Sequence, residues 1–274
     1  MASVAQLARQ VAGRPRLLPL TALLLRARTV RPSLAFLARA AAGRKGAFVY
    51  RLRESGLRVT IRHGTGDVVT LGEVFHERDY LPPPALQRQL ANTRSVLDLG
   101  ANVGLFGALA AARWPRAEIL AYEPDPDNAA VHEHTIALNG LQGRWRLVRC
   151  AVGASSGTAA FVAGDVALSR LADGEEGEGE GEHTIDVQVE DVLAQLGQCD
   201  LVKMDIEGGE WAILGDPRFA LAPPRALVLE YHPRLCPNGD PRRTAISALE
   251  AAGLRVEPVW HRADGHGMLW AWRS

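Results

Sequence analysis

Acidic residues follow the predicted β-strands in the second half of the chain. Asp98 ends one apolar run, and Glu123, Asp205 and Glu230 each stand at the end of another. In open α/β sheets, ligands bind in the crevice beyond the carboxyl ends of the strands. We therefore expect these carboxylates, together with His232, to gather at one rim of a sheet, where they can bind a ligand or accept a proton from it.

The loop after Asp98 carries glycines at a spacing of four, Gly100 and Gly104, before an alanine-rich helical pattern. Glycine is needed where the backbone takes unusual dihedrals or lies against a ligand, and the free N–H groups of a helix start attract an anion. The spacing D-x-G-x-N-x-G, with Asn102 in place of a middle glycine, is nearer to the loop of class I S-adenosylmethionine (SAM) methyltransferases than to the dinucleotide fingerprint. Glu123 lies about 20 residues past the turn, where nucleotide folds place a ribose-binding carboxylate. The loop thus favours SAM, while a nicotinamide or flavin nucleotide and a tight turn that binds nothing stay open.

From about Ser95 to the end, the sequence predicts alternating strands and helices, and these elements must position the candidate site residues. Such alternation implies a mostly parallel sheet with helices on both faces. A hairpin is predicted to pair 158–162 with 184–189, and the last two strands form the antiparallel pair that closes a seven-stranded sheet. The fold class is therefore α/β, Rossmann-like, of the class I methyltransferase type. The predicted strands are 96–99, 118–122, 145–152, 200–204, 226–231, 254–260 and 267–273, and the predicted helices are 104–113, 126–139, 190–196, 208–215 and 241–252.

Two smaller segments precede this domain, which we place at residues 95–274. Residues 1–53 carry eleven Lys and Arg and no acidic residue. We interpret 1–45 as a basic helical extension that packs on the body or on a second subunit; an anionic membrane surface or nucleic acid is the alternative partner. Over 46–94 we predict a β-hairpin, with Val68–Leu71 in its alternating pattern, and a short helix at 73–80, all packing on the core.

An acidic segment at residues 173–183 alternates glycine with glutamate between the two strands of the predicted hairpin. Like charges repel and glycine is costly to order, so such a stretch has no means to form a packed structure. We expect a disordered insertion there.

The cysteines and the apolar runs indicate the cellular compartment of the protein. Three distant cysteines give no disulfide framework or zinc ribbon, which fits a reducing cytoplasm. The apolar run 17–25 has nine residues, whereas a membrane helix needs about 20. Arg26 and Arg28 follow it, where a signal peptide would have small residues. We expect a cytoplasmic protein without a transmembrane segment.

Four blocks of residues together resemble the FkbM family of SAM-dependent methyltransferases. The similarity covers roughly 67–231, and the K-x-D-x-E-G-x-E block is its most specific part. Asn102 agrees with the pattern of this family, and the resemblance implies methylation of an oxygen, such as a hydroxyl of a sugar, a polyketide or another secondary metabolite, in natural product biosynthesis. The four blocks are Asp98-Leu99-Gly100-Ala101-Asn102-Val103-Gly104, Glu123-Pro124 with Asn128 and Asn139, Lys203-Met204-Asp205-Ile206-Glu207-Gly208-Gly209-Glu210, and Glu230-Tyr231-His232.

Oxygen methylation requires a base for the proton of the acceptor. His232 is a candidate because an ordinary histidine titrates near pH 6.5, and Asp205 is its rival. Glu207 lies near a helix start and could contact substrate, and Glu230 could pair with Lys203 or orient His232. Asp205, Glu230 and His232 together could bind a divalent cation, but no metal-ligand spacing requires one, and we expect no metal.

The expected contacts with SAM follow from the placement of these residues at the ends of the predicted strands. We expect Glu123 to bind the ribose hydroxyls, Asp98 to reach the amino group of SAM, and the loop backbone to bind its carboxylate. The adenine should lie near Ala151. The predicted SAM-binding residues are Asp98, Gly100, Asn102, Gly104, Glu123 and Ala151.

The predicted partner is a small hydroxylated molecule. An RNA, glycan or lipid acceptor recruited by the basic N-terminal segment is one alternative, although the segment lacks the interleaved aromatic residues that would favour nucleic acid. Peripheral membrane contact and a homo-oligomer also stay open. A nicotinamide-dependent oxidoreductase on the same sheet is the remaining alternative.

Overall fold

The computed structural model describes residues 18–163, 170–171 and 183–273. The chain divides into two compact units, one up to Arg78 and one from Asp79. Our boundaries after residues 45 and 94 were drawn from pattern alone and stay predictions. Residues 1–17, where we predict part of the basic helical extension, lie outside the described residues, as does nearly all of the predicted loop 173–183.

The first unit contains a three-stranded antiparallel sheet in the order β1–β2–β3. The predicted hairpin is present, with Tyr50 opposite Val59. Val68–Leu71, in contrast, is helical, so its assignment to the β-pattern was wrong. The buried Asp67 begins that helix and accepts hydrogen bonds from the Arg62 backbone N–H and guanidinium, and these bonds turn the chain away from the strand. The elements are α1 (Leu18–Ala27), β1 (Val30–Arg31), α2 (Ser33–Ala41), β2 (Gly46–Leu52), β3 (Arg58–His63), α3 (Asp67–Gly72) and a π-helical turn (Glu73–Glu77).

The second unit is built on a seven-stranded sheet that confirms the predicted fold class. Its order is β13–β14–β12–β11–β4–β5–β6, and β14 runs antiparallel to both of its neighbours. β11 is buried along its whole length and β12 at every position but Glu230, as expected of parallel strands covered by helices on both faces. The elements are α4 (Pro84–Gln87), β4 (Ser95–Leu99), α5 (Leu105–Arg113), β5 (Glu118–Tyr122), α6 (Pro126–Leu138), β6 (Trp145–Val148), β7 (Ala151–Gly153), β8 (Gly157–Ala163), β9 (Arg170–Leu171), β10 (His183–Asp191), α7 (Leu193–Leu196), β11 (Leu201–Met204), α8 (Glu210–Gly215), α9 (Pro217–Leu221), β12 (Ala226–Tyr231), α10 (Pro241–Ala251), β13 (Arg255–His261) and β14 (Gly267–Trp272).

A second, four-stranded sheet in the order β7–β10–β8–β9 belongs to the same unit. The predicted hairpin is there, with Val162 opposite Thr184. The strand predicted at 145–152 is interrupted at Arg149 and Cys150, because β6 pairs with β5 in the large sheet and β7 pairs with β10 in the small one. The prediction of one continuous strand over 145–152 was therefore wrong, because the two halves of this segment pair with strands of different sheets.

Across the described part of the chain, no helix combines the length and the apolar character that crossing a membrane requires.

Candidate active site

The carboxyl ends of β4, β11 and β12 lie side by side. Asp98 is opposite Lys203 in the parallel register, and Lys203 is opposite Val228 on the other side. Asp205 and Glu230 therefore emerge at the same edge of the sheet. The sequence placed these residues correctly, because parallel strands aligned in register bring their ends together.

The loop between β4 and α5 requires glycine at both Gly100 and Gly104. Gly100 has φ +73°, and a Cβ there would collide with the backbone oxygen of Asp205. Gly104 has φ +84°, and a Cβ there would lie 2.6 Å from the ring of His132. The loop thus fits closely between the β11 end and α6.

Asn102 fixes the centre of that loop. It has φ +49°, a conformation that asparagine tolerates better than most residues. Its backbone N–H donates to Glu123 Oε2 at 2.7 Å, and its side-chain oxygen accepts from the Val103 N–H at 2.7 Å. Asn102 therefore links the loop to the carboxylate at the end of β5.

His132, on the buried face of α6, supports the same loop. Its Nδ1 lies 3.2 Å from the carbonyl oxygen of Asn102, and since a carbonyl can only accept, Nδ1 carries the proton. Burial lowers the pKa of His132 to about 4, so the ring is neutral near pH 7. The sequence analysis missed this residue. The i, i+4 spacing of Asn128, His132 and Ile136, all buried, is the signal that would have placed it on the inner face.

Glu123 is buried and accepts hydrogen bonds at both oxygens. Oε2 receives the Asn102 N–H and Oε1 receives the Asp125 N–H at 2.8 Å. Burial raises the pKa of Glu123 to about 7, although these two N–H groups favour the ionised form. A carboxylate has about four lone-pair sites, so each oxygen can still accept a hydroxyl such as those of a ribose.

Asp98 is fully buried. Neither of its oxygens has a hydrogen-bond partner within the described residues. Burial raises its pKa to about 6, opposed by the Lys203 ammonium, whose Nζ lies 3.6 Å from Oδ1. A buried carboxylate without donors is what an incoming ammonium group would satisfy, so this position fits the amino group of SAM.

Lys203 joins the loop to the next group of residues. Its Nζ donates to the Gly100 carbonyl oxygen at 2.6 Å and lies 3.2 Å from Asp205 Oδ2. Burial alone would lower the pKa of Lys203, but the negative charges of Asp205 and Asp98 outweigh it and raise that pKa. Lys203 is therefore a buried cation between the two carboxylates.

We use the name acceptor cluster for Asp205, Glu207 and His232. His232 Nε2 lies 3.7 Å from Asp205 Oδ1 and 3.4 Å from Glu207 Oε2. Glu207 has φ +53°, a strained conformation that is common at functional sites. Burial raises the pKa of Glu207 to about 7. One side-chain atom of each residue lies within 4.8 Å of the other two, close enough for the three to share one ion.

Glu210 orients His232. The carboxylate is fully buried; Oε1 accepts the His232 backbone N–H at 2.7 Å and lies 3.1 Å from Nδ1, while Oε2 accepts the Gly208 N–H at 2.8 Å. Burial alone would lower the pKa of His232, but Glu210, Glu207 and Asp205 together raise it to about 10. The imidazole is then an imidazolium near pH 7, which weakens the expectation that it acts as a free base.

Glu230 and Ala151 lie in different surroundings from the other predicted site residues. Glu230 Oε2 accepts from the Tyr80 hydroxyl at 3.2 Å, and its charge contributes to the raised pKa of Lys203. Glu210 is the carboxylate that lies against Nδ1 of His232, and a role for Glu230 in orienting His232 stays a prediction. Ala151 begins β7 opposite Val189, and its contact with adenine stays a prediction.

Comparison with known proteins agrees with this geometry. Residues 98–253, more than half of the chain, match the family described as Methyltransferase FkbM domain. The methyltransferase sdnD of Sordaria araneosa is 36% identical over 63 residues, which are 23% of this chain and 24% of that protein. The chain thus matches about a quarter of the length of this curated relative.

The similarity to solved structures is low in both sequence identity and TM-score. Precorrin-6y C5,15-methyltransferase from Geobacter metallireducens has a TM-score of 0.41 at 16% identity, covering 69% of this chain and 86% of that one. An O-methyltransferase family protein from Burkholderia thailandensis has a TM-score of 0.43 at 15% identity, covering 76% of this chain and 57% of that one.

The family match includes both the glycine loop and the acceptor cluster, and it favours a methyltransferase over the nicotinamide-dependent alternative. The chain therefore belongs to the family described as Methyltransferase FkbM domain.

Proposed function

We propose that the chain transfers the methyl group of SAM to a hydroxyl oxygen of a small molecule, a sugar, polyketide or other secondary metabolite. The acceptor cluster carries this proposal. It brings two carboxylates and a histidine within 4.8 Å of one another, and Lys203 connects it directly to the loop that binds SAM. Such a group can bind a hydroxyl and remove its proton.

The cofactor is assigned to the opposite side of Lys203. In this proposal Asp98 binds the amino group, the backbone from Gly100 to Gly104 binds the carboxylate, and Glu123 binds the ribose hydroxyls. The adenine lies towards Ala151. The lack of a hydrogen-bond partner for Asp98 among the described residues supports the first of these assignments.

Bound SAM supplies a methyl group attached to a sulfonium, and the sulfur leaves as a neutral thioether. The residues of the chain then have two tasks. They align the acceptor oxygen with the methyl carbon, which can contribute about 7 to 11 kcal/mol, and they take the hydroxyl proton, which contributes about 10² to 10⁴-fold. Asp205 and Glu207 are the carboxylates in the acceptor cluster that can receive this proton, and the His232 ring faces both of them at 3.7 and 3.4 Å.

We propose that the reaction takes place in the cytoplasm. The described cysteines, Cys150, Cys199 and Cys236, are all unpaired thiols, as expected in a reducing compartment.

The test is a methylation assay with SAM and a panel of hydroxylated acceptors, matched with amine and thiol acceptors of similar shape. Product mass and S-adenosylhomocysteine are measured together. We expect product only from hydroxyl acceptors. Asp205→Asn and His232→Ala should bind SAM as the parent does, by calorimetry, and lose at least about 100-fold in turnover.

Glu118→Gln is the matched control, because Glu118 is exposed at the other end of β5 from Glu123. Turnover of this control should equal that of the parent. Full turnover in both Asp205→Asn and His232→Ala, or transfer only to nitrogen or sulfur, would contradict the proposal.

A further inference from the structure

We propose that the acceptor cluster is a divalent-cation site, with Asp205 Oδ1, Glu207 Oε2 and His232 Nε2 as its three protein ligands. The sequence analysis expected no metal and considered Glu230 beside Asp205 and His232. The structure brings Glu207 to that position instead, from the turn before α8.

The spacing of the ligand atoms fits one ion. Cations of this class bind their ligands at about 2.0 to 2.6 Å, so two ligands of the same ion lie roughly 3 to 5 Å apart. His232 Nε2 is 3.4 Å from Glu207 Oε2 and 3.7 Å from Asp205 Oδ1, and all three atoms lie within 4.8 Å. An ion placed among them would have three protein ligands and further positions open to water or substrate.

The histidine is an observation independent of the acidic residues. Its side chain is only 5% exposed, and its Nε2 faces Asp205 Oδ1 at 3.7 Å and Glu207 Oε2 at 3.4 Å. An ion bound between these atoms would replace the proton that the two carboxylates hold on Nε2, because a ligating imidazole is neutral. The other ring nitrogen, Nδ1, lies 3.1 Å from the fully buried Glu210 carboxylate. Metal-ligating histidines usually donate the second N–H to such a carboxylate, which fixes the tautomer and aims the free nitrogen at the metal.

The charges at this edge of the sheet favour a cation as well. Five carboxylates, Asp98, Asp205, Glu207, Glu210 and Glu230, are buried or partly buried, and Lys203 is the buried lysine among them. Oxygen ligands select ions such as Mg²⁺ and Mn²⁺, and a mixed oxygen and imidazole set suits Mn²⁺ better than Mg²⁺. The expected ion is therefore of the Mn²⁺ type.

This inference deepens the proposed function and rests on it for the role of the ion. A divalent cation that binds the acceptor hydroxyl lowers the pKa of that hydroxyl. The proton passes to Glu207 Oε1, which is not a ligand atom, and the O–CH₃ bond forms as the S–CH₃ electron pair stays on sulfur.

The test begins with Mn²⁺ alone and the full chain, without SAM or acceptor. Electron paramagnetic resonance of free Mn²⁺ measures binding during titration, with Mg²⁺ and Zn²⁺ as competitors. We expect one Mn²⁺ per chain in the parent and in Glu118→Gln, and at least about tenfold weaker binding in Glu207→Gln and Asp205→Asn. Glu207 is partly exposed, so Glu207→Gln should fold, and circular dichroism of each variant checks this.

A second measurement uses the stabilisation by bound metal. Mn²⁺ should raise the Tm of the parent and of Glu118→Gln, and that rise should be smaller in both ligand variants. Equal Mn²⁺ affinity in the parent and both ligand variants would overturn the inference.

The two proposals fail differently. If hydroxyl methylation continues unchanged after treatment with a chelator and the parent binds no Mn²⁺, the metal site is wrong and the proposed function stands. If Mn²⁺ binds with the expected variant dependence but no hydroxyl acceptor is methylated, the metal site stands and the proposed function is wrong.

Discussion

Replacing Asp98 with asparagine should stabilise the folded chain while weakening its affinity for SAM. The carboxylate is fully buried, without a hydrogen-bond partner within the described residues, and burial raises its pKa from 3.8 to about 6. A raised pKa means that the folded state prefers the protonated acid. The stability from this preference is complete below pH 3.8 and is lost as the pH rises through about 6.

The magnitude follows from that pKa. At pH 7.5 both the folded and the unfolded chain hold an ionised Asp98, and its burial costs the folded state on the order of 3 kcal/mol. Asparagine resembles the protonated acid in shape and charge, so Asp98→Asn should raise the free energy of unfolding by up to about that amount. At pH 4.5 the gain should shrink to on the order of 1 kcal/mol, because the parent is then largely protonated when folded.

Binding should change in the opposite direction. A hydrogen bond between the carboxylate and an ammonium contributes about 1.5 to 3 kcal/mol, so calorimetry should find SAM affinity reduced between about tenfold and a hundredfold. Urea unfolding of the parent, Asp98→Asn and Glu118→Gln at both pH values completes the assay. The reasoning is refuted if Asp98→Asn is less stable than the parent at pH 7.5, or if its affinity for SAM is unchanged.

Two further substitutions probe the loop. Gly100→Ala should cost more than about 2 kcal/mol of stability and abolish SAM binding, because its Cβ would collide with the Asp205 carbonyl oxygen. Gly140→Ala is the matched control, because Gly140 has φ +63° and a Cβ there would meet no neighbouring residue within 4 Å. Thermal unfolding should show a cost of only about 1 kcal/mol for this control. Glu123→Ala should weaken SAM binding at least about a hundredfold in calorimetry, since it loses the ribose contacts and releases the loop N–H of Asn102. Parent-like affinity in that variant would show that the ribose assignment is wrong.

Much of the large sheet could be predicted from the sequence because its strands are short apolar runs between glycines and polar turns. The antiparallel closing pair was also predictable, since only a short turn separates its strands. Val68–Leu71 was not, because alternation of apolar and polar residues over four positions does not separate a strand from one helical turn. The buried ion pair of Asp67 with Arg62 decides that conformation, and it depends on packing around a turn.

The site was predictable to the extent that it depends on strand ends. Asp98, Glu123 and Asp205 follow apolar runs, so topology alone brings them to one edge. The role of Glu210 was not predictable, because a glutamate at a helix start is equally explained by the helix dipole. Only the fold brings its carboxylate to the ring of His232.

One ammonium group, that of Lys203, serves both halves of this site. It lies within 4 Å of Asp98 and of Asp205, and when SAM brings its own ammonium to Asp98, two positive charges compete for one carboxylate. The lysine should then interact more strongly with Asp205, so donor binding changes the electrostatics around the acceptor without a movement of the backbone. Linkage requires the effect to be mutual: the factor by which SAM changes acceptor affinity must equal the factor by which acceptor changes SAM affinity.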